Sequence, residues 1–258
     1  MKPKKRIVAA LMIASVAVLH AQIDGKTIME NVYNRPAGKT MRASLRMQVT
    51  NSRGSTRERN ISQYSVDTPE GEKKIMFFES PADVRGTSFM TWSWDDGRDD
   101  DQWIYLPALK RVKRIASDGK NESFMGSDFT YDDLGDRHPS EDTHTLLREE
   151  TLDGLPCYVV ESAPVAKDSP FARTVTRIHK DSWVGLRKEY YDAAGKKIKE
   201  LEIGKREKID GFWVVTDMTM KDLQRNSHTR ITMNAVRFDT ALNEEIFSDR
   251  QMRIGQPR

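Results

Sequence analysis

From Ala43 to Phe238 the chain keeps returning to one pattern, a short run in which apolar and polar side chains alternate, closed by a cluster of turn-forming residues. In Ala43–Thr50, Leu45, Met47 and Val49 alternate with Arg46, Gln48 and Thr50. That period of two places the apolar set on one face of a β-strand and the polar set on the other. Further strand candidates are Arg57–Val66, Glu72–Glu79, Thr87–Trp94, Gln102–Leu106, Arg111–Ala116, Leu155–Ser162, Arg173–His179, Gly185–Tyr191, Lys197–Lys205, Phe212–Lys221 and Thr229–Phe238. Between them stand Asn51-Ser52-Arg53-Gly54, Pro69-Glu70-Gly71, Asp95-Asp96-Gly97, Asp153-Gly154, Ala193-Ala194-Gly195 and Asp210-Gly211, the chemistry of tight turns. Strands this closely spaced, with no helical pattern between them, form consecutive antiparallel hairpins. The expected fold is mainly β, a large curved antiparallel sheet or barrel, and a parallel α/β arrangement is disfavoured.

Three stretches depart from the pattern. Ile28, Met29, Val32 and Tyr33 share one helical stripe between Asp24, a side chain suited to cap a helix, and Pro36, so a short amphipathic helix is predicted over Asp24–Arg35. Ser117–Glu150 reads as a long irregular segment, and its Phe124, Phe129 and Tyr131 make it too aromatic to be simply disordered. The tail Gln251–Arg258 is predicted to fray.

The N-terminus has the form of an export leader. Basic residues through Arg6 precede the 13-residue apolar run Ile7–Leu19 and the small residue Ala21, whereas a spanning helix needs roughly 20 apolar residues. Residues 1–21 are therefore predicted to be a cleaved signal peptide and 22–258 one β domain in the periplasm. Lys2, Lys4, Lys5 and Arg6 leave with the leader, so 38 basic side chains face 39 acidic ones, which removes the electrostatic argument for a nucleic-acid partner. The single cysteine, Cys157, excludes an internal disulfide.

Aromatic residues gather on neighbouring strand candidates, at Phe77, Phe78, Phe89, Trp92, Trp94, Trp103 and Tyr105, where they form either a packed core or a pocket. The acidic run Asp95–Asp101 lacks the ligand spacing of a calcium loop and reads as a solvated hairpin tip. His138 and His144, with Asp132, Asp133, Asp136 and Asp142 nearby, match no ligand pattern. No nucleophile elbow, zinc helix or phosphate loop is present in the sequence, so no catalytic residue, metal or cofactor is predicted. Lys110, Arg111, Lys113 and Arg114 interleave with Leu109, Val112 and Ile115, either as the charged face of an edge strand or as a docking surface for an acidic or membrane partner.

Asp100–Ile115, Ser123–Leu134 and Glu79–Thr87 together resemble the outer-membrane lipoprotein-sorting protein family, relatives of the LolA periplasmic carriers. The resemblance implies an incomplete antiparallel barrel of about eleven strands with short helices in its concave side and an apolar cavity for acyl chains. It also implies a periplasmic shuttle, linked in this branch to inner-membrane exporters of the resistance-nodulation-division type, and it carries no catalytic residues.

The expected function is thus a non-enzymatic carrier of a lipid, a lipoprotein acyl chain or another apolar molecule between inner and outer membrane, making transient membrane contact. Its predicted cavity lining is Leu45, Met47, Val49, Met76, Phe78, Met90, Trp92, Trp94, Ile104, Leu106 and Met218. Either Ser117–Asp142 or the Asp24–Arg35 helix would act as its gate. A sensor or adaptor module that meets a membrane protein through Lys110–Arg114 is the alternative.

Overall fold

The computed structural model describes residues 23–167 and 169–257, so the predicted leader lies outside the described residues. Helix α1 (Gly25–Tyr33) comes first, and Asp24 caps it by accepting from Thr27 N at 2.7 Å, as its sequence position predicts. The strands that follow are β1 (Thr40–Thr50), β2 (Thr56–Thr68), β3 (Gly71–Ser80), β4 (Ser88–Trp92), β5 (Asp101–Leu106) and β6 (Arg111–Arg114). After a long crossing segment come β7 (Asp142–Leu152), β8 (Leu155–Pro164), β9 (Arg173–His179), β10 (Gly185–Tyr191), β11 (Lys197–Ile209), β12 (Phe212–Asp222) and β13 (Ser227–Phe238). Helix α2 (Asp249–Ile254) ends the chain.

All these strands belong to one antiparallel, 13-stranded sheet ordered β6-β5-β4-β3-β2-β1-β13-β12-β11-β10-β9-β8-β7, more than the eleven or so that the family resemblance implied. Two meanders are joined at the centre by β1 and β13, whose pairing runs from Met41 opposite Phe238 to Thr50 opposite His228. The free edges are therefore β6 and β7, consecutive in the chain but at opposite ends of the sheet. The segment that joins them has to cross a face of the sheet to connect its two edges.

The sheet curls around that segment. Gln102 on β5 donates to the Tyr131 carbonyl at 2.8 Å, and Lys199 on β11 donates to Asp133 at 2.6 Å. In a flat sheet seven strand spacings would part β5 from β11 by about 34 Å, while residues 131 and 133 are at most about 7 Å apart. The crossing face is hence the concave one, and the sheet curls without closing, because β6 and β7 do not pair.

The strand missing from the sequence reading is β7. Alternation fails there at Leu146-Leu147, where a β-bulge between Leu146 and Arg148 leaves Leu147 exposed. Helix α1 packs on the inner face of β7 and β8, burying Ile28 against Val160 and Ile178. Its approach is close enough that a Cβ on Gly25 would lie 2.8 Å from the β7 backbone, which explains the glycine.

The C-terminus corrects a second expectation. Residues 249–254 are helical rather than frayed, with Ser248 as the cap, and Met252 is fully buried on the outer face of the sheet beside Ile75, Phe77 and Met90. The Ser88 hydroxyl donates to the Met252 carbonyl at 2.9 Å. This docked helix covers an apolar outer patch that would otherwise face water.

Candidate functional site

The inner wall is built by strand parity. Across β1, β2 and β3 the paired residues Leu45–Ile61 and Ile61–Phe78 turn one way, and β4 and β5 continue the row with Phe89–Met76 and Ile104–Phe89. Beyond β13, Met47 pairs with Ile231 and Ile231 with Met218. Of the predicted lining, Leu45, Met47, Met76, Phe78 and Ile104 are buried in this inner cluster, and Val49, Leu106 and Met218 pack against it half-buried.

Met90, Trp92 and Trp94 do not join them. Met90 and Trp92 point outward into the patch beneath α2, and Trp94 packs edge-on against Trp92 with the Arg98 guanidinium over its ring. In β4 it is Phe89 that faces inward, one residue from the predicted Met90, and a one-residue offset exchanges the two faces of a strand. The stretch Ser88–Trp92 is apolar on both faces, so alternation carries no parity signal there.

The concave face is filled by the crossing segment, here called the plug. Residues 122–131 form a self-bonded loop, with Phe124 N donating to the Phe129 carbonyl at 2.8 Å and Tyr131 N to the Glu122 carbonyl at 3.2 Å. Phe124 is wholly buried, its ring 5.1 Å from Phe89, 5.9 Å from Phe78 and 5.5 Å from Tyr131, and Phe129 is buried with it. These separations suit tilted and edge-to-face aromatic packing. The sequence marked the aromatic content of this segment but not its target.

Two carboxylates pin the plug to the opposite wall. Asp128 accepts from Thr229 Oγ1 at 2.6 Å, Ser227 Oγ at 2.5 Å and Arg225 Nη2 at 3.0 Å, all at the β12–β13 turn and the start of β13. Asp133 accepts from Lys199 Nζ at 2.6 Å and Tyr190 OH at 3.2 Å. Burial works against ionisation of Asp133, yet the Lys199 ammonium holds its carboxyl below the ordinary range. The same burial, helped by Asp133, pushes the Tyr190 phenol well up.

A charged cluster closes the far end of the plug. Lys74 lies 2.9 Å from Glu72 and 3.8 Å from Asp136, and Asp100 accepts from Ser93 Oγ at 2.9 Å and Asp136 N at 3.1 Å. A Cβ on Gly135 would collide with Asp100 Oδ2, so a side chain there would have to displace the Asp100 carboxylate from its bonds to Ser93 and Asp136. Burial pushes the Glu72 carboxyl up to about 7 against the pull of Lys74, and burial likewise raises Asp100 to about 6. Tyr33, at the end of α1, donates to Asp95 at 3.0 Å, so helix, plug and β4–β5 hairpin meet here.

Two cavities border the plug. One of about 240 Å³ is lined by Phe129, Phe171, Tyr190 and Ile198 together with Lys199 and Arg225. The other, a cleft of about 400 Å³, is polar, with Asp99, Asp100, Asp132, Lys120 and Arg137 on its walls. His138 bonds Ser140, and His144 is held between Ser162 and the Pro139 carbonyl, each at 2.7–2.8 Å. Among the described residues no group of His, Cys, Asp and Glu is arranged to hold a metal ion, and no helix is long and apolar enough to cross a membrane.

The predicted docking residues do not form one stripe. By their pairing with β5, Arg111 and Lys113 lie on the inner side of edge strand β6 and Arg114 on the outer side, where it pairs with Asp101. Lys110 occupies the left-handed turn before β6, and its carbonyl accepts from Arg253 of α2 at 3.4 Å.

The open, curved antiparallel sheet with its two short helices is a LolA-like fold. A LolA superfamily protein from Nitrosomonas europaea shares it at a TM-score of 0.69 and 15% identity, over 89% of this chain and 100% of that one. A DUF1329 family protein from Desulfovibrio piger is 31% identical with a TM-score of 0.83, covering 88% of this chain and 97% of that one. A putative outer membrane lipoprotein-sorting protein domain from Vibrio parahaemolyticus is also 31% identical at 0.83, over 89% and 98%. A family model described as "Uncharacterized protein" matches residues 70–254, and no curated protein matches the chain. The chain belongs to the DUF1329 family and has the LolA-like fold.

Proposed function

We propose that this protein is a periplasmic, non-enzymatic carrier that holds a lipid, a lipoprotein acyl chain or another apolar molecule against the concave face of its sheet. The observation that carries this reading is the occupant of that face. A wall of Leu45, Met47, Met76, Phe78, Phe89 and Ile104 is covered by a loop with only short 3₁₀ turns rather than by a helix or second sheet. Aromatic side chains of a loop can be exchanged for an acyl tail at little net cost. Each buried CH₂ gains about 0.8 kcal/mol, so a tail of about a dozen carbons offsets the loss of several ring contacts. In this reading the plug is the gate, and the relative described as a lipoprotein-sorting domain supports the cargo class. The single domain after a cleaved leader and service to an inner-membrane exporter of the resistance-nodulation-division type belong to the same proposal.

The test is to purify the exported chain, extract it for lipid mass spectrometry and titrate it with a fluorescent fatty acid. Reproducible co-purifying lipid displaced in stoichiometric amount is the expected result, and an empty protein that ignores the probe would overturn it.

One observation favours a second reading, an envelope adaptor. Lys110, Arg111 and Lys113 are exposed on a free sheet edge and make no ion pair among the described residues. Neutralising them should then abolish binding to a membrane partner while leaving cargo binding intact.

A further inference from the structure

The plug carries two kinds of group, and the wall beneath it is divided in the same way. Its rings Phe124 and Tyr131 pack on Phe78 and Phe89 of β3 and β4, whereas its carboxylates, Asp128 and Asp133, lie on Arg225 and Lys199 across the concavity, with Phe129 between the two regions. Both carboxylates are almost wholly out of water, with side chains 2% and 13% exposed. Charges placed so deeply are tolerated only when matched.

The wall therefore has a charge of its own that the plug neutralises. Lys188 and Lys199 flank the Tyr190 ring at 5.0 and 5.5 Å. Of the carboxylates facing Lys188, Asp132 and Asp133 belong to the plug, and Asp142 is engaged by both nitrogens of the Arg137 fork. Arg225 keeps Asp222 at 2.7 Å once Asp128 is gone. Withdrawal of residues 122–134, which leaves the Arg137–Asp142 pair in place, thus uncovers an apolar wall bordered by Lys188, Lys199 and Arg225, three cations that share one wall carboxylate, Asp222, opposite Lys199 on β12 and 2.7 Å from Arg225. A neutral tail would fill the apolar part and leave these cations desolvated with too few partners.

We infer that the cargo is an amphiphile with an anionic head group, whose acid takes the place of Asp133 against Lys199 and Lys188 while its tail takes the place of Phe124, Phe129 and Tyr131. This rests on the carrier reading above. The cavity of about 240 Å³ lies at the junction of the two regions, with Phe129, Phe171 and Ile198 on its apolar side and Lys199 and Arg225 on its charged side. Asp128, Asp132 and Asp133 of the plug also line it, so its cations become available to the acid only as the plug moves.

The test compares three fluorescent probes of one chain length, a long-chain carboxylate, its methyl ester and its trimethylammonium analogue, on the full exported chain. The wild type should bind the carboxylate on the order of tenfold more tightly than either of the others, the effect of one charge-assisted hydrogen bond. The paired replacement K199M with D133L removes both charges of that ion pair together. It should cut the preference severalfold, and K188M added to it should erase what remains, while ester binding is retained. Asp133→Asn frees Lys199 and also loosens the plug, so all three probes should tighten and the carboxylate by the largest factor. Equal binding of all three probes by the wild type overturns this inference and leaves the carrier reading standing. Binding of none overturns both.

Discussion

Lys199 and Asp133 are 66 residues apart in the chain and 2.6 Å apart in the fold, and this one ion pair ties the crossing segment to the half of the sheet opposite its aromatic contacts. Asp133 also accepts from Thr130 N at 2.8 Å and Thr130 Oγ1 at 2.9 Å, so the carboxylate orders the loop that it anchors. The pair is at once a tether and a local organiser.

Asp133→Asn should therefore lower stability and loosen the plug first. An almost buried lysine left without its partner costs about 3 kcal/mol, visible in the urea midpoint. Amide exchange should accelerate most at residues 122–134. A uniform acceleration over all strands would show instead that the plug and the sheet open as one unit.

Phe124 and Phe78 touch each other but should respond differently to truncation. Either change to Ala costs about 3 kcal/mol or more, because each ring is fully packed. Phe124→Ala weakens the competing plug, so affinity for an apolar probe should rise. Phe78→Ala damages the wall itself, so affinity should fall. Parallel changes in both variants would argue against exchange between plug and cargo.

The charged cluster at the end of the plug sets a pH dependence. Glu72 is raised by burial to about 7 from 4.5, and Asp100 by burial to about 6 from 3.8, so over these ranges the folded chain holds more protons than the unfolded one. Stability then falls as pH rises from about 4 to about 7. Asp133 and Asp136 act in the opposite sense, since their lowered values give stability that is lost as pH falls through them. Urea unfolding of the wild type and of Glu72→Gln and Asp100→Asn across pH 4 to 8 checks this. Asp100→Asn should flatten the profile up to about pH 6 and Glu72→Gln up to about pH 7, and an unchanged slope counts against buried protonated carboxyls.

Met252→Ala should cost about 2 to 4 kcal/mol, an ordinary value for a fully buried methionine. A chain ending at Phe247 should bind a dye specific for exposed apolar surface, because Ile75, Phe77 and Met90 lose their cover. Unaltered dye binding would mean that the outer patch is shielded by something other than α2.

Most strands were legible because alternation and turn chemistry are local. Leu45, Met47 and Val49 alternate cleanly and face inward as read, whereas two kinds of place defeated the reading. In β7 a bulge inserts Leu147 and erases the period, and in β4 the run Phe89-Met90-Thr91-Trp92 is apolar on both sides, so the pairing of Phe89 with Met76 decides which ring faces in. For α2, six residues of mixed character form a helix because Met252 meets a patch contributed by β3 and β4. Nothing near Met252 in the chain announces that patch.

The amino-acid sequence by itself determined that this chain would be a large antiparallel sheet led by a capped helix, broken by an aromatic irregular segment read as residues 117–150, of which 142–150 fold as β7. The tertiary structure alone decided that β1 would pair with β13, that the interruption would have to cross the concave face, and that Asp128 and Asp133 would meet Arg225 and Lys199 there. The reason lies in the reach of the forces. Side-chain period and turn preference act over a few residues, whereas strand register and buried charge pairing are settled only when segments a hundred or more residues apart enclose the same volume.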